Sequence, residues 1–156
     1  MTNPMLKDSP AWQLLSSETA KTRLEQLLEV SATMLPEVIE EVFLSERVGP
    51  EGPSPESFWF FTRNYLSEAK NPINETRFDI CLLTNNIKWV EITAQGFDFK
   101  KADEGSQLSV VFSLVNDISG RLNASGLNCM NLMQIAKSRL FANAQRHSRD
   151  EPSSSP

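Results

Sequence analysis

The sequence predicts an α+β protein in which an N-terminal helical region precedes an antiparallel sheet of about five strands and a C-terminal helix packed on that sheet. Apolar residues recur at three- and four-residue steps before residue 47, alternate with polar ones between residues 58 and 124, and form a second helical stripe after residue 126. A chain of 156 residues that is 40% hydrophobic can bury a sizeable core. We therefore expect one domain over residues 1–142.

The helical region is expected over residues 9–47. Ser9 and Pro10 suit the cap and first turn of a short helix, and Ser16 or Ser17 can cap a longer one. Pro36 interrupts the longer helix, because its ring clashes with the preceding turn, and should cause a kink or start a second helix. The longer helix carries an apolar stripe of Leu24, Leu27, Leu28, Met34, Leu35, Val38, Ile39 and Val42.

A connector is expected at residues 49–57, where proline and glycine are too frequent for a helix or a central strand. The aromatic residues that follow favour strands, so the sheet should span residues 58–124. Its clearest hairpin is expected between Phe78 and Thr93. The turn should lie at Asn85 and Asn86, because asparagine tolerates the left-handed conformation of tight turns.

Period-two alternation indicates a half-buried strand that contains Leu108, Val110, Phe112 and Leu114. Residues 118–124 can pair with it, and a helix over residues 106–121 is the alternative. A final helix is expected over residues 126–142, with a stripe of Cys129, Leu132, Met133, Ala136 and Leu140. Residues 143–156 are polar and should form a disordered tail.

The charge of the chain disfavours two classes of partner. Its net charge of -5 and its pI of about 4.9 repel phosphate backbones and anionic lipid surfaces. No segment approaches the roughly 20 consecutive apolar residues of a membrane span, and residues 1–10 lack a signal-peptide pattern. We therefore expect a cytoplasmic protein that binds neither nucleic acid nor membranes.

Candidate catalytic and metal-binding residues are few. The single histidine, His147, lies in the predicted tail and is poorly placed to shuttle protons. Cys81 and Cys129 lie in apolar runs, which favours the core over a metal site. The acidic residues at positions 98–104 lack the ordered oxygen ligands of an EF-hand. We predict no catalytic residue, no metal and no cofactor.

A small carboxylate-dependent enzyme is the alternative from another functional class. Asp79 and Glu91 lie on the two strands of the predicted hairpin, followed by Asp98 in the next loop. If the first two face one another, their like charges would raise the pKa of one of them. A closed pocket lined by these acids would favour the enzyme.

Four successive aromatic residues begin the predicted sheet, and an extended strand sends two of them to each face. One pair should lie in the core, while the other is covered by the helical region or exposed to a partner. Trp59 and Phe61, with Leu28 and Leu35 of the helical stripe, are therefore candidate partner-binding residues of a non-catalytic protein-binding module. The stripe can also form a homodimer interface, and its alternative role is to cover the sheet of its own chain.

The order of short antiparallel strands closed by one helix, over residues 58–141, resembles the pleckstrin-homology-like superfold, which has seven strands where about five are counted here. The resemblance implies binding of peptides, proteins or phosphoinositides rather than catalysis. Phosphoinositide-binding members carry closely spaced basic residues on the first hairpin. Lys70 and Arg77 are the nearest basic residues, and the segment between them is neutral or acidic, so lipid binding is not expected.

The same order of elements in a small acidic protein also looks like the secretion-chaperone fold: a helix, three strands, an intervening segment, two strands and a final helix. Dimers of that fold hold an unfolded stretch of another protein. The resemblance implies that the N-terminal stripe lies at a dimer interface.

Overall fold

A computed structural model describes residues 7–49, 52–70, 77–82, 87–95, 107–115 and 119–143. The chain forms two compact units, Met1–Cys81 and Leu82–Pro156, and the single domain expected over residues 1–142 stays a prediction. The described residues have an α+β fold, as predicted. The single sheet of about five strands is wrong, because seven strands form one sheet of four and another of three.

Two helices open the first unit: α1, Pro10–Leu14, and α2, Glu18–Met34. The Ser9 hydroxyl accepts a hydrogen bond from the Trp12 amide at 3.3 Å, and the Ser17 hydroxyl accepts one from the Ala20 amide at 3.0 Å. Both serines therefore cap helices, as predicted.

The predicted helical region over residues 9–47 is too long. Helix α2 ends at Met34, and Leu35 is already extended with φ -86° and ψ 141°, because the residue before a proline is driven out of the helical region. No second helix begins at Pro36, because residues 35–40 are non-helical. Glu41–Gly49 is instead strand β1, in which three successive apolar residues, Val42, Phe43 and Leu44, are buried.

The first sheet contains β1, β2 (Gly52–Phe61), β3 (Tyr65–Lys70) and β4 (Arg77–Leu82), in that order. The connector predicted at residues 49–57 is wrong for residues 52–57, which belong to β2, while residues 50 and 51 lie outside the described part. Strand β2 pairs antiparallel with β1 along its whole length, but with β3 only from Ser57 onward. Pro53 and Pro55 thus lie where β2 has one described neighbour, which is where strands tolerate proline.

Helices α1 and α2 pack on one face of this sheet. Leu24, Leu27 and Leu28 share a buried cluster with Phe58 and Phe60 of β2. The stripe of α2 therefore covers the sheet of its own chain, one of the two roles predicted for it.

The second unit contains strands β5 (Ile87–Gln95), β6 (Gln107–Leu114) and β7 (Ser119–Ser125), in that order and antiparallel. The strand prediction near residue 110 is confirmed, and the alternative helix over residues 106–121 is wrong. Helix α3, Asn128–Ile135, continues as a π-helical segment, Ala136–Phe141. Helix α3 contacts β6 and β7, so a C-terminal helix packs on a sheet as predicted.

The hairpin predicted between Phe78 and Thr93 is wrong, because β4 belongs to the first sheet and β5 to the second. Alternation reveals which face a residue occupies, but it does not reveal which strand is the hydrogen-bonded neighbour. The predicted turn at Asn85 and Asn86, the acidic positions 98–104 and the tail from residue 144 onward lie outside the described residues.

Candidate functional site

The four residues predicted to bind a partner are all buried. Trp59 and Phe61 are 1% and 0% exposed, and Leu28 and Leu35 are 3% and 6% exposed. The Trp59 ring stacks on Phe61 with 6.4 Å between ring centroids, and its Nε1 donates to the Ser57 hydroxyl at 2.9 Å. All four side chains are thus buried within their own chain, and their role in binding a partner stays a prediction.

The carboxylates of the enzyme alternative do not meet across a hairpin. Asp79 belongs to β4 and Glu91 to β5, which lie in different sheets, and the Glu91 side chain is exposed. Asp98 and His147 lie outside the described residues. Within the described part of the chain, no group of three or more His, Cys, Asp or Glu side chains is placed to hold a metal ion. The helices of that part are all too short or too polar to cross a membrane.

Strand β5 forms one edge of the second sheet. An edge strand directs alternate backbone N–H and C=O groups away from the sheet, where another strand can pair with them. Every side chain between residues 88 and 94 is exposed or half-buried, and Trp89 is 42% exposed. The side chains of this edge strand are therefore open to solvent from residue 88 to residue 94.

The register identifies the core-facing residues of β5. Val90, Ile92 and Ala94 stand opposite three residues of β6 that are at most 2% exposed: Phe112, Val110 and Leu108. Yet Val90 and Ile92 are only half-buried, and Ala94 is exposed. We call these three residues the β5 strip.

The opposite edge of the same sheet differs. On β7, Leu122 and Ala124 occupy the same face as the β5 strip and are 0% and 2% exposed. Helix α3 packs against β7, whereas beside β5 lies the π-helical segment that follows α3. The apolar face of the sheet is thus covered at β7 and incompletely covered at β5.

The other face of β5 is polar apart from Trp89. Glu91 and Thr93 stand opposite Val111 and Ser109 of β6. Ser109 in turn donates a hydrogen bond to the Asn123 side-chain oxygen of β7 at 2.8 Å. A segment bound along β5 would therefore meet an apolar face on one side and a polar face on the other.

A separate polar cluster surrounds Glu37, in the segment between α2 and β1. One carboxylate oxygen accepts hydrogen bonds from the Thr62 hydroxyl at 2.6 Å and the Asn64 amide at 3.0 Å, and the other accepts one from the Asn64 side chain at 2.6 Å. The bond from Thr62 is the largest cause that lowers the pKa of Glu37, followed by the bond from Asn64, with a smaller contribution from the Arg63 charge.

This cluster has a structural role. Thr62 and Asn64 lie between β2 and β3, so the Glu37 carboxylate fixes that turn to the segment after α2. Both of its oxygens accept hydrogen bonds from that turn. This cluster was not predicted from the sequence, because Glu37 is separated by 25 residues from Thr62 and resembles a solvated glutamate of a helix face.

No family model and no curated protein matches this chain. A solved structure described as the C-terminal domain of an unknown protein from Leishmania infantum is similar at 13% sequence identity, with a TM-score of 0.48. The similarity covers 75% of this chain and 98% of that chain. It identifies neither a family nor a function.

Proposed function

We propose that this chain is a non-catalytic binding module that takes a segment of a partner protein as an added strand along β5. In this mode of recognition, backbone hydrogen bonds supply affinity, and contacts with alternate side chains supply specificity. The observation that carries the proposal is the incomplete cover of the β5 strip, in contrast with the buried residues on the same face of β7.

The proposed ligand is an extended segment with apolar residues at alternate positions. One side of such a segment would cover Val90, Ile92 and Ala94, and its other side would lie beside Trp89 and Glu91. The net charge of -5 disfavours acidic segments. Proline is disfavoured at positions that must donate a hydrogen bond to β5.

We also propose membership of the pleckstrin-homology-like superfold. Among the described residues, seven strands in sheets of four and three precede the C-terminal helix, which agrees with the seven strands of that superfold better than the expected five did. The secretion-chaperone resemblance has less support, because its three strands and two strands differ from this arrangement.

The test uses a peptide that is selected from a random display library for binding to the intact protein. This peptide is then synthesised. Its affinity is measured for the wild type, for Ala94→Lys and for Thr93→Lys. These neighbouring exposed residues lie on opposite faces of β5, so the two variants add the same charge at nearly the same place. We expect Ala94→Lys to weaken binding by about tenfold or more, because it places a charge in the β5 strip, while Thr93→Lys changes affinity little.

Circular dichroism establishes that both variants remain folded. Equal losses in the two variants would indicate an electrostatic effect and contradict the proposed face of β5. The proposal is also wrong if the selected peptide binds both variants as tightly as the wild type.

A further inference from the structure

We infer that the segment bound along β5 carries one basic residue, Lys or Arg, directly opposite Glu91, and that this contact fixes the register of the added strand. The inference rests on the proposed function and specifies the chemistry of its ligand. Apolar contacts with the β5 strip alone do not fix the register, because a slip of two residues returns apolar side chains to the same face. A charged contact at one position distinguishes between these registers.

The part of β5 with a regular edge begins at Trp89. The pairing of β5 with β6 shifts between Ile87 and Trp89, and Lys88 has no counterpart in β6. A bulge of this kind interrupts the edge, and together with a lysine it protects the end of an edge strand from further pairing. From Trp89 to Gln95 the pairing with β6 is one to one, so an added strand has a regular neighbour over this span.

Glu91 is the only charged residue between Trp89 and Gln95. Its side chain is exposed and forms no ion pair with another described residue. The register places Val111 of β6 beside Glu91, and Arg121 of β7 beyond Val111. Two strand spacings of about 4.8 Å each thus separate the backbones of Glu91 and Arg121. The side of Glu91 that faces away from β6 is therefore open to a basic side chain of an added strand.

Trp89 supports the same specificity. It lies two residues from Glu91 on the same face of β5, and it is 42% exposed. On an added strand, the residue opposite Glu91 lies diagonal to Trp89, which is within reach of a long side chain. A Lys or Arg at that position can contact both the carboxylate and the indole ring, because the face of the ring attracts cations. An acidic residue there would be repelled by Glu91.

The occupant is a segment of another protein rather than a second copy of this chain. A second copy would present the same span, Trp89–Gln95, which contains no basic residue. In one antiparallel register, two such edges place the two Glu91 side chains directly opposite one another, which is destabilising. The net charge of -5 also opposes self-association.

The test reverses the charge on each side of the proposed contact. One random peptide display library is selected separately on the wild type, on Glu91→Lys and on Glu29→Lys. Glu29 is an exposed residue of α2, so Glu29→Lys is a matched control that makes the same change in net charge outside β5.

We expect the peptides selected on the wild type and on Glu29→Lys to share a Lys or Arg at one position on the polar side of an alternating apolar pattern. The peptides selected on Glu91→Lys should keep the apolar alternation and carry Asp or Glu at that position. Circular dichroism should show that Glu91→Lys remains folded, because the substituted side chain is exposed.

A peptide selected on the wild type is then synthesised with its basic residue and with glutamate in its place. Calorimetry measures the affinity of each peptide for the wild type and for Glu91→Lys. We expect pairs with like charges to bind about fivefold or more weakly than pairs with opposite charges. This difference should shrink as salt is added.

The inference is wrong if the wild-type selection yields no basic residue at a fixed position, or if Glu91→Lys selects the same basic residue as the wild type. Equal affinities of the two synthetic peptides for the wild type would also overturn it. A wild-type dimer that Ala94→Lys converts into a folded monomer would mean that β5 binds a second copy, again contrary to the inference. Peptides weakened by Ala94→Lys but insensitive to Glu91→Lys contradict this inference alone, whereas peptides insensitive to Ala94→Lys contradict the proposed function as well.

Discussion

At the scale of single residues, a buried hydroxyl pair connects α2 to the first sheet. The side-chain oxygens of Ser31 and Ser67 are 3.2 Å apart, and both residues are 0% exposed. A buried hydroxyl that loses its partner costs about 1–3 kcal/mol, whereas removal of both hydroxyls can be nearly neutral.

We therefore expect Ser31→Ala to lower the free energy of unfolding by about 1–3 kcal/mol, and the double variant with Ser67→Ala to recover part of that loss. Urea denaturation of the wild type, both single variants and the double variant measures the coupling free energy between the two serines. Strictly additive losses would contradict a direct hydrogen bond between the two serines.

Glu37 gives the stability of the first unit a defined pH dependence. Its pKa is lowered in the folded protein, mainly by the hydrogen bond from Thr62. Its stabilising effect is therefore fully present above the ordinary glutamate value of 4.5 and is lost as the pH falls through the lowered folded value.

Glu37→Gln should lower the urea midpoint near neutral pH, and the difference from the wild type should shrink as the solution is acidified below the ordinary glutamate pKa. Glu29→Gln, at an exposed position of α2, serves as the control and should change the midpoint little at either pH. A Glu37→Gln difference that grows on acidification would contradict the role of the carboxylate.

The roles of single residues were predicted correctly where they depend on neighbours close in sequence. Ser9 and Ser17 cap the helices expected to follow them, because a cap depends only on the next three residues. The burial of Trp59 and the exposure of Val38 were not predictable in this way. Both depend on which face of an element is covered by residues distant in sequence.

At the scale of elements, α3 derives its position from an apolar stripe that the sequence predicted. Leu132 is 0% exposed, whereas Met130 on the same helix is 41% exposed. We expect Leu132→Ala to lower the free energy of unfolding by about 2–5 kcal/mol, the usual effect of emptying a buried site. Met130→Ala should change it by less than about 1 kcal/mol, and equal effects of the two would mean that α3 does not pack through Leu132.

The elements that were predicted correctly have apolar residues at clearly periodic positions. Leu108, Val110 and Phe112 alternate cleanly, so β6 was found with its buried face. Strand β1 was mistaken for helix because the stripe of α2 continues through Val38 and Val42 at steps that also suit a helix. The start of β2 was missed because Pro53 and Pro55 are rare in strands that have two neighbours.

At the scale of the whole molecule, the role of the α2 stripe determines what a charge at Leu28 would do. Leu28 is 3% exposed within a cluster formed by its own chain. We expect Leu28→Glu to unfold the first unit, because a charge without a partner is costly in an apolar core. Val30→Glu, at a position that is 42% exposed, should remain folded.

Sedimentation combined with circular dichroism separates the two roles of the stripe. A wild-type dimer that Leu28→Glu converts into a folded monomer would contradict the core role and support the predicted homodimer. A monomer that loses its structure on substitution supports the packing described here.

The assembly of strands into sheets was the least predictable level. The α+β class followed from composition and periodicity, but β4 and β5 were expected to pair and instead lie in different sheets. Pairing depends on contacts between distant segments, which a local pattern does not encode. The edge position of β5 was not predicted for the same reason, since β5 was expected to pair with the strand before it.

The most direct test of the proposed binding along β5 is backbone amide hydrogen exchange of the intact protein, with and without the peptide selected on it. We expect alternate amides of Ile87–Gln95 to become protected in the complex, because an added strand bonds to every second residue of the edge. Unchanged exchange along β5, with new protection confined to β7 or to helix α2, would contradict it.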